Sequence, residues 1–284
     1  MELNDIRQGR NGDCFILSSI IAILHSFTSN YIKNIITVVE ETGIYSFSFW
    51  LNNKKYSIKL DSNNIGKSLS PKSKLWVKQI EYGYIYAFYQ NNINNILEKG
   101  GMSHQVLQRL TGLDVKVYLN KLLDHYNEPQ YTELCNIINQ SSWDSTSILN
   151  NTIIQWTNSI WSRLITKIEL NDDNHLLLNH LLPNHLLPNH IYHLVSPGVV
   201  GINGNYRNKQ VLGIVSEHSY AIIGISIDDY NNKYLHTFNP QHKVESRITN
   251  YNHDTQQFNT ICSIDRNGKW AFNELFIFVS DFSL

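Results

Sequence analysis

Residues 13–26, DCFILSSIIAILHS, restrict the fold more than any other part of the chain. Read as a helix, this stretch carries apolar side chains on nearly every face. Such a helix has to be enclosed rather than laid on a surface. The rest of the chain must supply the wrapping. With 284 residues, 42% of them hydrophobic and 17% charged, there is material for a real core and for one or two domains. Asp13 stands where an N-cap is expected, which makes Cys14 the first residue of the helix.

The wrapping is legible in outline. IYSFSFWLNNKKYSIKL (44–60) is two alternating, aromatic-rich runs about Asn52-Asn53, the pattern of a hairpin. Residues 75–98 keep helical spacing through Leu75, Gln79, Tyr82, Tyr86, Tyr89, Ile93 and Ile96. Gly100-Gly101 stops that helix, and Ser103 caps a short one reaching Leu110. After Gly112 the character changes. Residues 113–119 read as a strand and 130–170 as helical. VLGIVSEHSYAIIGISI from 211, a turn at 228–232 and KYLHTFNP read as β, and ELFIFVSDF (274–282) as a closing strand or extended run. The fold class is α+β, with a helical subdomain over 1–112 and a β-rich subdomain over 113–284 that carries an insertion around 171–194.

Composition removes several functions. The net charge of −1, from 23 basic and 24 acidic residues, argues against binding nucleic acid or acidic membranes through bulk charge. Three scattered cysteines, Cys14, Cys135 and Cys262, make neither a disulfide scaffold nor a zinc site; Cys135 and Cys262 read as structural. No apolar run reaches the roughly 18 residues of a membrane span. Asp5, Arg7, Arg10 and Asp13 interrupt any signal peptide. A reducing compartment follows, cytoplasmic or the cytosol of a host cell. The 35 asparagines, with abundant Ile, Lys and Tyr, reflect AT-rich coding rather than chemistry. The repeat NHLLLNHLLPNHLLPNH sets His175, His180, His185 and His190 five residues apart. Five residues turn an α-helix by about 500°, which scatters them over its faces, and Pro183 and Pro188 break a helix there. The repeat reads as an inserted surface segment, not a metal site.

Four residues form a chemical set. Cys14 opens a helix, where the dipole favours a thiolate, although Asp13 opposes it; alone it also reads as a small core residue. Gln8 lies six residues earlier across Gly9 and Gly12, which let the backbone turn sharply. Its amide together with the Cys14 N–H would make an oxyanion hole. His218 opens an apolar strand and Asn239 ends the next one. Residues equidistant from the intervening turn face each other in a hairpin, so His218 and Asn239 are expected as neighbours at its open end. An amide that orients an imidazole completes a Cys-His-Asn constellation.

Around these residues the chain resembles the catalytic core of the calpains, papain-like cysteine proteases. QGRNGDCF (8–15) is similar to the family's Gln-Gly-x-x-Gly-Asp-Cys-[Trp/Phe]. LWVKQIEYGYIYAFY (75–89) is similar to its Leu-Trp-x-x-Leu-Leu-Glu-Lys-Ala-Tyr helix, VSEHSYAIIG (215–224) to Gly-His-Ala-Tyr-x-Val, FNP (238–240) to Arg-Asn-Pro-Trp, and ELFIFVSDF to its closing segment. The hairpin at 44–62 and the GG and LTG of 100–112 also match, in order. The family's Trp after Asn-Pro is Gln241 here, which removes the indole that shields the His–Asn bond. The resemblance implies two subdomains with a cleft between them. It implies hydrolysis of protein substrates through a thioester acyl-enzyme, with Cys14, His218 and Asn239 catalytic and Gln8 at the oxyanion. Related cores bind calcium through loop carbonyls and acids, and Asp13 and Glu81 sit in matching motifs. No cofactor is required, and calcium stays open. An inhibitor or a longer parent chain is a further possible partner. An AT-rich source suggests a bacterial effector or toxin. A papain-fold deamidase or acyl or glutamine transferase is the alternative chemistry, and a catalytically silent interaction module the alternative class.

Overall fold

The structure, a computed structural model, describes residues 1–9, 11–39, 43–66, 70–89, 100–119, 190–202, 218–230, 233–241, 258–264 and 275–280. The all-round apolar stretch becomes helix α1, Cys14–Ile35. It runs nine residues past the expected end at 26, because Ile32 and Ile35 return to the buried face one and two turns on. Phe15, Ile16, Leu17, Ile20, Ile21, Ala22 and Ile23 are all at most 1% exposed.

Two sheets and two further helices enclose α1. The first sheet is β1 (Ile36–Val39), β2 (Ile44–Leu51) and β3 (Lys54–Asp61), all antiparallel. Asn52 and Asn53 take φ of 50° and 58°, the pair of positive values that a type I′ turn needs, so the expected hairpin forms. Its buried residues alternate, with Tyr45, Phe47 and Phe49 inward. They meet α2, Leu75–Tyr89; the part of that expected helix beyond 89 lies outside the described residues. Gly83 makes the contact close, since a Cβ there would stand 2.5 Å from the Phe47 ring. Helix α3, Ser103–Thr111, ends at Gly112 in the left-handed region, φ 71°, as helices that end in glycine do. Arg109 of α3 lies 4.1 Å over the Phe88 ring and donates to the Tyr84 hydroxyl at 3.0 Å, which ties α3 to α2.

The second sheet has six strands: β4 (Val115–Leu119), β5 (Tyr192–Ile202), β6 (His218–Ile227), β7 (Lys233–Phe238), β8 (Phe258–Ile264) and β9 (Leu275–Ser280). They lie in the order β4-β9-β5-β6-β7-β8, each neighbouring pair antiparallel. All ten residues of β6 are buried. Helix α1 packs on β5 and β6 as well as on α3 and β2, so one apolar core joins α1, α2, α3 and β2 to Val199, Ala221, Ile223 and Phe238. The architecture is α+β. The expected helices of 130–170 and the repeat up to 189 lie outside the described residues. His190, at the repeat's end, is exposed and packs edge-on against Tyr192 at 4.6 Å. Among the described residues no helix is long and apolar enough to cross a membrane.

Asp13 is the N-cap residue of α1 as expected, without a side-chain cap bond, and the expected cap at Ser103 is corrected. The Asp13 carboxylate instead accepts from the Ser70 hydroxyl at 3.2 Å, and that hydroxyl lies 3.1 Å from Glu81 Oε1. Asp13 and Glu81 are both 0% exposed, so two acids and one hydroxyl share a dry site. Ser103 is the first residue inside α3, after an N-cap at Met102; its hydroxyl is drawn across to Ser219 at 3.2 Å. Burial first, and then a hydrogen bond and charge from Asp13, push the Glu81 carboxyl well above the ordinary carboxylate range. Glu81 is therefore the protonated member, and its O–H supplies the donor that two adjacent carboxyls otherwise lack.

Because the native value is raised, the folded state keeps a proton that the unfolded chain releases above about pH 4.5. Stability should fall as pH rises through that interval, by up to about 1.4 kcal/mol per pH unit. Glu81→Gln keeps a donor and removes the titration. The difference between wild-type and variant denaturation midpoints, followed from pH 5 to 9, should widen in favour of the variant as pH rises; parallel curves would remove the shared proton. Gly83→Ala should cost about 1–3 kcal/mol through overpacking against Phe47, read as a lower denaturation midpoint at unchanged slope. An unchanged midpoint would show that the ring yields.

Candidate active site

Gln8, Cys14, His218 and Asn239 come from four places: the loop before α1, the first turn of α1, the first residue of β6 and the residue after β7. The β6–β7 hairpin brings the last two together. Its register runs from Ile227 opposite Lys233 to Ala221 opposite Phe238, with a one-residue shift between Ile222 and Gly224. His218 and Asn239 thus lie just past the paired ends, close enough for His218 Nε2 to reach Asn239 Oδ1 at 2.9 Å. The same oxygen accepts the backbone N–H of Gln241 at 2.9 Å. An atom that accepts from a backbone N–H is the amide oxygen and not its nitrogen, so His218 Nε2 carries the hydrogen and Nδ1 the lone pair.

The residue that replaces the expected indole contributes through its backbone, by holding that oxygen. Burial does the shielding: His218 and Asn239 are each 5% exposed. The Tyr220 ring stands edge-on to the imidazole, centroids 4.8 Å apart at 88°. Burial pulls the His218 pKa below its ordinary 6.5, while the Asn239 hydrogen bond and the Asp13 charge oppose the shift.

Cys14 is partly exposed, the free cysteine among the described residues. It opens α1, which packs on β6. Burial raises the thiol pKa first; the Asp13 charge adds to this, and the Ser219 and Phe15 donors act against it. As the first residue of α1, Cys14 has no intrahelical partner for its N–H. Gln8 is 7% exposed. Its Nε2 donates to the Asn11 carbonyl at 2.8 Å, and its backbone N–H to the Pro240 carbonyl at 2.8 Å. That second bond fastens the loop before the cysteine to the loop that carries Asn239. An amide NH₂ has two hydrogens, so one remains when Asn11 has taken the other.

His218 and Asn239 are hydrogen-bonded, Gln8 is tied through its backbone to Pro240 beside Asn239, and Cys14 opens the helix that packs on β6. Ser219 and Tyr220 were not expected. Tyr220 had a signal, because residues two apart on a strand share a face. Ser219 had only its adjacency to His218. Asp13 and Glu81 both face the Ser70 hydroxyl, Asp13 Oδ2 at 3.2 Å and Glu81 Oε1 at 3.1 Å. Among the described residues no three His, Cys, Asp or Glu side chains converge to hold a metal ion.

A partly exposed thiol and a buried imidazole with a fixed tautomer are the groups that nucleophilic attack on a carbonyl needs. No curated protein sequence matches this chain. The family model described as calpain family cysteine protease matches residues 1–268. Nearly the whole chain is covered by that match, the site residues among it, and the protein belongs to the calpain family and is a cysteine peptidase.

Proposed function

We propose that the chain is an endopeptidase acting on protein substrates through a Cys14-His218-Asn239 triad, in a cleft between its Cys-bearing 1–112 and His/Asn-bearing 113–284 parts. The observation that carries this reading is the 2.9 Å bond from His218 Nε2 to an Asn239 oxygen held by a second donor. It leaves His218 Nδ1 as the base. Nδ1 takes the Cys14 proton as the sulfur bonds to the scissile carbonyl carbon, and the carbonyl π electrons move to oxygen. The Cys14 N–H and the second hydrogen of Gln8 Nε2 stabilise that oxyanion. The C–N bond then breaks, His218 hands its proton to the leaving amine, and a thioester remains. Water, deprotonated by His218, attacks the thioester and restores the thiol. Throughout, the Asp13 charge favours the imidazolium.

The shifts keep both partners neutral at rest: the thiol is raised and the imidazole lowered. Cys14→Ala should abolish cleavage of an unfolded protein substrate and alkylation by iodoacetamide at that position while leaving the melting curve intact; residual full activity would sink the triad. N-terminal sequencing of a treated lysate should reveal new N-termini, whereas deamidation or cross-links without new N-termini would favour the transferase chemistry. Gln8→Ala should lower kcat by about 10²–10³ with little change in KM. The base must be unprotonated to work, and its pKa is lowered. The acid limb of kcat/KM should therefore lie below pH 6.5, and a midpoint above that value would remove His218 as the base.

A further inference from the structure

We propose that His25 is a positioning residue for the Cys14–His218 pair: it fastens α1 to β6 at one point, so that the two groups reach the site at the same height. This rests on the reading of Cys14 as nucleophile and His218 as base, and adds a group remote from both.

Strand β6 is weakly held at its middle. Its register with β5 breaks between Gly224, opposite His193, and Ile222, opposite Gly198. Its register with β7 breaks between Gly224, opposite His236, and Ile222, opposite Thr237. Ile223 falls in both breaks and has no paired residue in either ladder. The ladders alone therefore leave a joint between the half of β6 that begins at His218 and the half that follows. Ile223 is 2% exposed, and a carbonyl buried there needs a donor. His25 of α1 supplies one, its Nε2 lying 2.8 Å from the Ile223 oxygen. A carbonyl only accepts, so Nε2 carries the hydrogen. The same turn of α1 also grips β5. The Ser26 hydroxyl donates to the Leu194 carbonyl at 3.4 Å, and the His25 and His193 rings have centroids 5.6 Å apart.

This anchor stands equally far from both reacting groups. From His25 back to Cys14 is eleven residues of helix, about 16 Å at the usual helical rise. From Ile223 back to His218 is five residues of strand, about 16 Å at the usual strand rise. The two arms run the same way. Ser19, midway along the helical arm, donates to the Ser103 carbonyl at 3.3 Å, and the Ser103 hydroxyl lies 3.2 Å from that of Ser219, next to His218. Equal arms from one fixed point bring the first residue of α1 level with the first residue of β6. A slip at the anchor moves one against the other, and a misplacement of about 1 Å can cost about 10²-fold in rate.

Two readouts on the full chain test this, each taken well below the variant's denaturation midpoint. His25→Phe keeps a ring and removes the donor. It should lower kcat on an unfolded protein substrate by about 10–100-fold with little change in KM. His25→Gln returns an N–H and should restore most of the rate. Gly83→Ala, which loosens the α2–β2 contact instead, should melt early at unchanged kcat. An unchanged kcat in His25→Phe overturns the proposal, and so does a loss equally deep in His25→Gln or in Gly83→Ala. The second readout needs no activity. In a His218→Cys background, dibromobimane should bridge position 218 to Cys14, read by mass spectrometry of the linked peptides. Adding His25→Phe should slow bridging several-fold, and His25→Gln should restore it. Equal rates with and without His25→Phe overturn the positioning role alone. No bridge even with His25 in place overturns the pairing of Cys14 with His218, and the positioning role with it. If His25→Phe does not fold, His25→Leu takes its place in both readouts.

Discussion

The burial of α1 governs the rest of the molecule. A helix with apolar residues all round gains stability on every side that is covered, and each side here is covered by something different: α3, β2, and the β5–β6 surface. That enclosure decides where the chemistry goes. The N-terminus of α1 cannot be sealed by apolar contact alone, because its first N–H groups have no intrahelical acceptors. Polar residues collect there for that reason: Asp13, Ser70 and Glu81 around the entry to the helix, and Gln8 in the loop ahead.

Electrostatically, this end of α1 is economical. One carboxylate, Asp13, acts in three directions. It accepts from Ser70, it keeps Glu81 protonated, and its charge raises both the Cys14 and His218 values. Raising a thiol disfavours its thiolate, whereas raising an imidazole favours its protonated form. The first effect is opposed by the surroundings of Ser219 and Phe15, which leave the thiol raised all the same. The second would grow with any positive charge developing on the ring. Glu81 keeps the arrangement neutral enough to be buried, since two ionised carboxylates at full burial would repel each other without solvent to screen them.

Much of this was legible in the residues. The hairpin about Asn52-Asn53 was readable because few residue pairs accept two successive positive φ angles. The pairing of His218 with Asn239 was readable because hairpin register is arithmetic. The strand β5 escaped notice because Ser196, Pro197 and Gly198 look like a turn. In the sheet they fall at a register shift between His193 and Gly198, where a bulge tolerates them. Neither side chain makes a capping bond, for one physical reason. Asp13 and Ser103 have the side chains of caps, but each was claimed by a partner from a distant segment, Ser70 and Ser219. Local pattern gives a residue's capability, and tertiary contact decides its use. Ser70 had no signal at all, because its role exists only once α1 and α2 are side by side.

The bond from the Gln8 N–H to the Pro240 carbonyl closes a loop of more than two hundred residues, and the last strand, β9, must pair with β5 before the second sheet is whole. Contacts this distant in sequence form late and make for slow assembly. A chain leaving the ribosome exposes its cysteine helix first and its histidine strand long afterwards. During that interval Cys14 is present without His218 and Asn239. The order of synthesis thus acts as a latch on the site: its parts cannot meet until the strands that carry His218 and Asn239 have been made.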